Sequence, residues 1–294
     1  MTRDSYRYSW GGDEFLFVEI DEEMSLAANF AAMSLANQLR ARQLEGVTDI
    51  CPANASVLIR FNPDILSPDA LLGQVQRLEQ LPATEQSVQT RVIRVPVWYD
   101  DPYTGAVAAR FREGYHQEPS GSDLDFAARV SGCADTEEFI RRHHSQPWIV
   151  SMVGFVAGLP FLYQLVDRPE QLVVPKYLAP RTDTPALTLG HGGCFGAIYS
   201  VRGAGGYQMF GIVAAPIYDP EQELPDFRES SVLFRPGDLV VFTPVDEAEY
   251  LRIQRSVADH TYRYEQTAFT FDAREALNEP LSNNQRIMKA FHVA

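Results

Sequence analysis

Lysine is almost missing from this 294-residue chain: Lys176 and Lys289 are the two present, and the rest of the 25 basic side chains are arginine. Against 39 acids this leaves a formal charge of −14, a field that repels phosphate backbones and anionic lipid. Nucleic-acid binding and membrane-surface binding are thereby excluded as leading functions. Cysteine is scarce too. Cys51, Cys133 and Cys194 are odd in number and form no CxxC pair, which argues against a disulfide framework and against a metal site, and fits a reducing cytoplasmic setting. No stretch approaches about 18 uninterrupted apolar residues. The opening Met-Thr-Arg-Asp-Ser-Tyr has no apolar core of the kind a leader needs, so neither a membrane span nor secretion is expected. Gly-Lys-Ser/Thr does not occur, so there is no phosphate-cradling Walker loop and independent ATP binding is not expected.

What is present is the composition of an ordinary folded protein, 45% hydrophobic and 22% charged. The length exceeds what one hydrophobic core fills efficiently, so two domains are expected. Phe15 to Ile20 reads as a strand, and Leu26, Phe30, Met33, Leu35 and Leu39 carry a helix over about 25–44. Val47 to Pro52 and Ser56 to Phe61 follow as strands, and Ser67 caps a helix to about Leu81. This β-α-β-β-α unit, residues 1–84, is the first predicted domain. The polar stretch Pro82 to Thr90 reads as its linker.

Arg91 to Tyr99 resumes as a strand, and Asp100 to Asp125, with Pro102, Gly105, Gly114, Pro119 and Gly121, reads as a long loop or insertion. Thr136 to His144 reads as a short helix with acids at its start and Arg141, Arg142, His143 and His144 at its end. Beyond Ile149 short apolar runs are punctuated by Gly and Pro, the pattern of a barrel or sandwich. The second domain is placed at 91–245. Residues 246–294 are an extension, helical in part, through Glu247 to Arg255 and Asn284 to Phe291.

A particular order of motifs runs through the second domain. It comprises Val95-Pro96-Val97-Trp98-Tyr99, then His143 eleven residues before Gly154-Phe155, then Gly158 and Pro160. Pro175, Pro180-Arg181-Thr182, Pro185-Ala186, Gly190 with Gly193, and Ile198-Tyr199 follow. Gly205-Gly206-Tyr207-Gln208 and Phe234-Arg235-Pro236-Gly237-Asp238 complete the set. In this order the chain resembles the allophanate hydrolase subunit 1 family over about residues 8–245. That family takes in the Kip-type kinase inhibitors, the B subunit of 5-oxoprolinase, and the C and D parts of the urea carboxylase carboxyltransferase. The resemblance implies an α+β fold, a small α/β domain followed by a cyclophilin-like β-barrel. It also implies a second carboxyltransferase-like subunit as partner. A biotin carboxylase or carrier, or a lactam-utilisation protein, would stand beside them, with biotin or ATP brought by a partner and no cofactor bound by this chain alone.

Within that frame Arg181, with its planar fork, is the candidate for holding a carboxylate or carboxybiotin oxygen. His143 is the candidate acid or base, although a histidine at a helix end also simply complements the dipole. Lys176, in the same loop as Arg181, could supply a point charge to an anionic substrate. The glycine-rich Gly190 to Gly196 stretch, with His191, Gly192 and Gly193, could bring backbone N–H groups to an anion, and Tyr207 and Gln208 would shape the pocket. Against the family's usual pattern, Leu187 stands at a glycine, Phe195 at a glutamine, Asp183 at an arginine and Ile212 where arginine is common. Two readings follow. One is the smaller subunit of a heteromeric enzyme handling a small amide, lactam or urea-type substrate. The other is a non-catalytic module that binds a sensor histidine kinase, which the lost polar positions favour.

Overall fold

The computed structural model describes residues 6–80 and 87–291. It divides into two units, residues 1–89 with 270–279 and residues 90–269 with 280–294. Most of the Pro82 to Thr90 linker expectation falls on 81–86, outside the described residues, while Ser87 onward is already strand.

The first unit is built on β1 (Arg7–Gly11), β2 (Phe15–Glu19), α1 (Leu26–Arg42), β3 (Val47–Ala53), β4 (Ser56–Phe61) and α2 (Pro68–Glu79). The strands form one antiparallel sheet in the order β1-β2-β4-β3. Leu16 and Val18 of β2 and Val57, Ile59 and Phe61 of β4 alternate onto one face, as period-two side chains must. Against that core lie Ala28, Ala32, Leu35, Ala36 and Leu39 of α1 and Leu71, Val75 and Leu78 of α2. Each helix starts where a serine hydroxyl, Ser25 or Ser67, accepts an N–H of the first turn. Sequence reading missed β1, a polar and mostly exposed edge strand.

In the second unit β5 (Ser87–Tyr99) is followed by α3 (Pro102–Arg110), α4 (Asp123–Val130) and α5 (Thr136–His144). The expected loop at 100–125 therefore carries helix at its two ends, α3 and the start of α4, and is irregular between them, over 111–122. Asp101 caps α3 with Pro102 at its first position, and Ser122 with Asp125 makes a reciprocal capping box for α4. Then come β6 (Trp148–Val153), β7 (Pro160–Gln164), β8 (Arg181–Thr184), β9 (Thr188–Gly192), β10 (Phe195–Ile198), β11 (Gly203–Gly205), β12 (Gln208–Val213) and β13 (Leu239–Pro244). The chain continues through α6 (Glu247–Ala258), β14 (Gln266–Asp272), α7 (Ala273–Asn278), which belongs to the first unit, and α8 (Pro280–Met288).

Strands β12-β9-β10-β7-β6-β13-β5 are neighbours in that order, and β5 pairs back onto β12, so seven strands close a barrel. β14 adds to the free part of β5. β13 runs parallel to β5, from Leu239↔Val92 to Pro244↔Val97. Closure at β12 needs a glycine. A Cβ on Gly211 would lie 2.5 Å from the Trp98 carbonyl oxygen, inside the approach that pairs Gly211 with Tyr99. The interior holds Val95, Val97, Trp148, Leu162, Leu189, Ile198, Phe210 and Phe242, with Phe139 of α5 in the same cluster. The mixed α/β architecture with a small sheet and a closed barrel is the fold class the sequence implied.

Candidate functional site

Alternation along β10 feeds two different environments. Ile198 points into the barrel core, whereas Ala197 and Tyr199 join Leu159 and Tyr207 in a separate apolar cluster. That cluster forms one side of a cavity of about 320 Å³. Its walls are largely aromatic, with Phe155, Phe161, Tyr177, Tyr199 and Tyr207, and Lys176, Pro180, Gly205 and Gly206 complete them with Leu159 and Ala197. No aspartate or glutamate is among these residues. Phe155 stands at the rim, 73% exposed. Its backbone is left-handed at φ 73°, a conformation costly for a non-glycine residue and the kind of local strain that persists where a side chain must be displayed.

Gly192 explains how Lys176 and Tyr207 reach the wall. A Cβ there would lie 2.5 Å from a Tyr207 ring carbon and 2.9 Å from Lys176 Cγ, so only a bare backbone lets both side chains lie across β9. Lys176 Nζ then sits 5.1 Å from the Tyr207 ring centroid. The glycine-rich stretch is a hairpin, β9 to β10, turned at Gly193 with φ 65°. The Gly193 N–H donates to Val174 O at 2.7 Å and is engaged there.

Arg181 lies directly behind the wall. It pairs in register with Gly205, and its guanidinium carbon is 4.3 Å from the Tyr177 ring centroid. Its side chain is fully buried. Nη2 donates to Thr184 Oγ1 at 3.3 Å, while Nε and Nη1 have no hydrogen-bond partner among the described residues. The guanidinium draws the neighbouring Tyr199 hydroxyl toward ionisation, although burial dominates and holds that phenol above its ordinary value. No carboxylate is paired with Arg181 among the described residues. A cation taken out of water without an ion-pair partner is costly, by several kcal/mol for a typical case.

Other sequence candidates lie elsewhere. His143 is inside the barrel, fully buried, with Nδ1 2.9 Å from the Tyr99 hydroxyl and Nε2 without a partner among the described residues. Burial holds it well below its ordinary value, with the nearby His191 adding to the effect. His191 is buried beside it and pushed down to about 4 by burial, its Nε2 2.9 Å from Leu172 O. Neither lines the cavity. Gln208 is buried and donates from Nε2 to Pro175 O at 2.9 Å, and its Oε1 accepts from His116 Nε2 at 2.9 Å. Thus Lys176, Tyr207 and Gly192 come together, Arg181 stands behind them, and Gln208 anchors the loop that carries Lys176. Sequence reading missed Tyr177 and Tyr199, whose aromatic rings look like ordinary core. Tyr177, which directly follows Lys176, and Tyr199, which closes the Ile198-Tyr199 motif, carried signals that could have found them.

Fold and cavity together define a two-unit α+β protein whose barrel carries an aromatic, cation-backed site. The model of the carboxyltransferase domain, subdomain C and D, matches residues 6–227, and the chain belongs to this family. It is 29% identical over 238 residues to the 5-oxoprolinase B subunit of Escherichia coli O157:H7, covering 80% of this chain and 94% of that protein. The Haemophilus influenzae counterpart is 33% identical over 208 residues, 69% of this chain and 83% of that one. Urea amidolyase of Saccharomyces cerevisiae is 25% identical over 285 residues, 95% of this chain but 15% of the much longer relative. The crystal structure of the Kluyveromyces lactis urea carboxylase superposes with a TM-score of 0.83 over the whole chain, 27% of that structure, at 23% identity, which is a likeness of fold. Among the described residues no helix is long and apolar enough to cross a membrane.

Proposed function

We propose that this chain is the smaller subunit of a heteromeric carboxyltransferase-like enzyme acting on a small amide, lactam or urea-type substrate, as the 5-oxoprolinase relatives suggest. The observation that carries the reading is the cavity itself: aromatic walls, Lys176 on them, Arg181 buried behind them, and no acid in the lining. Two cations with no facing carboxylate favour a bound carboxyl or carboxylate group, and low surrounding dielectric strengthens that preference. In this reading Arg181 orients the carboxyl group from behind Tyr177 and Tyr199, and Lys176 attracts it at the wall.

His143, buried and uncharged at neutral pH, supports the barrel beneath the site, and a proton role would require the barrel to open. The partner subunit supplies the other wall of the cleft, and biotin or ATP, where used, arrives with partners. Affinity purification from native cells with mass spectrometry tests the assembly. A second carboxyltransferase-like subunit at about equal stoichiometry supports it, while a histidine kinase in its place moves the assignment to a regulatory module. Turnover by an Arg181→Ala complex equal to wild type would remove that residue from the reading.

A further inference from the structure

Residues 110–130 reach the 175–183 segment repeatedly. The Ala179 N–H donates to Tyr115 O at 3.2 Å, and Gln117 Nε2 donates to Lys176 O. His116 acts through Gln208 on Pro175 O. Arg110 pairs with Asp183. The centre of this bracing is Asp123, 1% exposed at the start of α4. Its carboxylate accepts the Tyr177 hydroxyl at 2.7 and 2.9 Å and the Met209 N–H at 2.8 Å, and it is ion-paired with the buried Arg112. Three segments of chain thus converge on one carboxylate, and one of them carries the ring on which Arg181 rests.

We propose that Asp123 is a positioning residue for the cavity: through the Tyr177 hydroxyl it fixes the phenol ring against the Arg181 guanidinium, so that the 110–130 segment sets the cavity's preference for a carboxylate. The inference rests on the reading of the cavity as an anion site. A phenol that donates to a carboxylate has an electron-richer π face, and a richer face holds a guanidinium more firmly. That face lies against Arg181, whose other contacts are the Thr184 hydroxyl and the adjacent Tyr199. The Asp123 charge is largely cancelled by Arg112, so its effect travels through the bonded ring more than through space. The two routes have opposite signs. Removing a negative charge near an anion site strengthens anion binding, whereas releasing Tyr177 weakens it.

The test is calorimetric titration of the full chain with 5-oxoproline, a carboxylate, and with its neutral carboxamide, which keeps the same ring. In wild type the acid is expected to bind about tenfold more tightly than the amide, the order of discrimination a charge-assisted contact gives. Tyr177→Phe keeps the ring and the Arg112–Asp123 pair but loses the hydroxyl. It should lower the acid-to-amide ratio about fivefold while leaving amide affinity within about twofold, and Asp123→Asn should do the same with no further loss in the double variant. A Tyr177→Phe protein with the wild-type ratio overturns the inference and leaves the anion site standing. So does equal loss of both ligands, the mark of packing alone, and so does tighter acid binding by Asp123→Asn, the mark of a field effect. A wild-type chain without preference for the acid overturns the anion site and this inference together. Should Asp123→Asn fail to fold, Tyr177→Phe decides alone.

Discussion

The Tyr99 hydroxyl and His143 Nδ1 meet at 2.9 Å in the barrel interior, where both side chains are buried and the other ring nitrogen has no described partner. This pair, with His191 6.2 Å away between ring centroids, makes the core intolerant of positive charge. Burial is the leading cause that holds both histidines below their ordinary value, His191 at about 4. Each is neutral in the fold and protonates more readily in the unfolded chain. Their contribution is therefore fully present above about pH 6.5 and is lost as pH falls below it, for His191 as pH approaches about 4. By pH 5 the His191 linkage alone should remove about 2 kcal/mol. A melting temperature that stays level from pH 7 to pH 5 would contradict the buried, uncharged assignment.

Gly192→Ala should damage the cavity more than the barrel. The added methyl meets the Tyr207 ring at 2.5 Å and Lys176 Cγ at 2.9 Å, and the ring must swing away. A loss of about 1–3 kcal/mol is expected in urea unfolding, together with loss of measurable 5-oxoproline binding. Unchanged binding in this variant would mean that Lys176 and Tyr207 do not shape the ligand's seat.

Phe155→Gly separates stability from function. The residue holds φ 73° and is 73% exposed, so little packing is lost on truncation. Relief of the left-handed strain, about 1–2 kcal/mol, is partly offset by the greater freedom of glycine in the unfolded chain. The expected result is equal or slightly higher stability, by up to about 1 kcal/mol, with weaker binding of the lactam ring. Clear destabilisation on thermal melting would show that the ring packs more than its exposure implies.

Much of this was legible in advance for a physical reason. Helices α1 and α2 carry apolar residues at helical spacing behind serine caps, and β4 alternates cleanly, so local pattern and tertiary burial agree. The motif order from Val95 to Asp238 pointed to the barrel. Strand β7 escaped because it opens on Pro160 after Gly158, and β14 because it is largely polar and exposed. Helix α3 was hidden by Pro102 and Gly105, which read as breakers until the Asp101 cap is seen to make Pro102 a starter. Lys176, singled out as one of two lysines, and Tyr207 and Gly192, singled out by motif position, come together around one cavity. The part Asp123 plays could not be read in advance, since it depends on a contact with Tyr177 across 54 positions of chain. Nor did the sequence say that His143 faces inward, because a helix end is compatible with either side.

The parallel pairing of β13 with β5 carries a consequence for how the chain is made. Val92 to Val97 must wait for Leu239 to Pro244, and the Thr90 hydroxyl and Arg91 find Gly237 O and the Asp238 carboxylate across 147 positions. A nascent chain released before that point has its first barrel strand with an open edge, able to pair with another copy. Such long-range closure is slow on the scale of domain folding. Ribosome pausing or truncation ahead of residue 239 should therefore yield aggregates, whereas chains extended through Pro244 have the means to seal themselves.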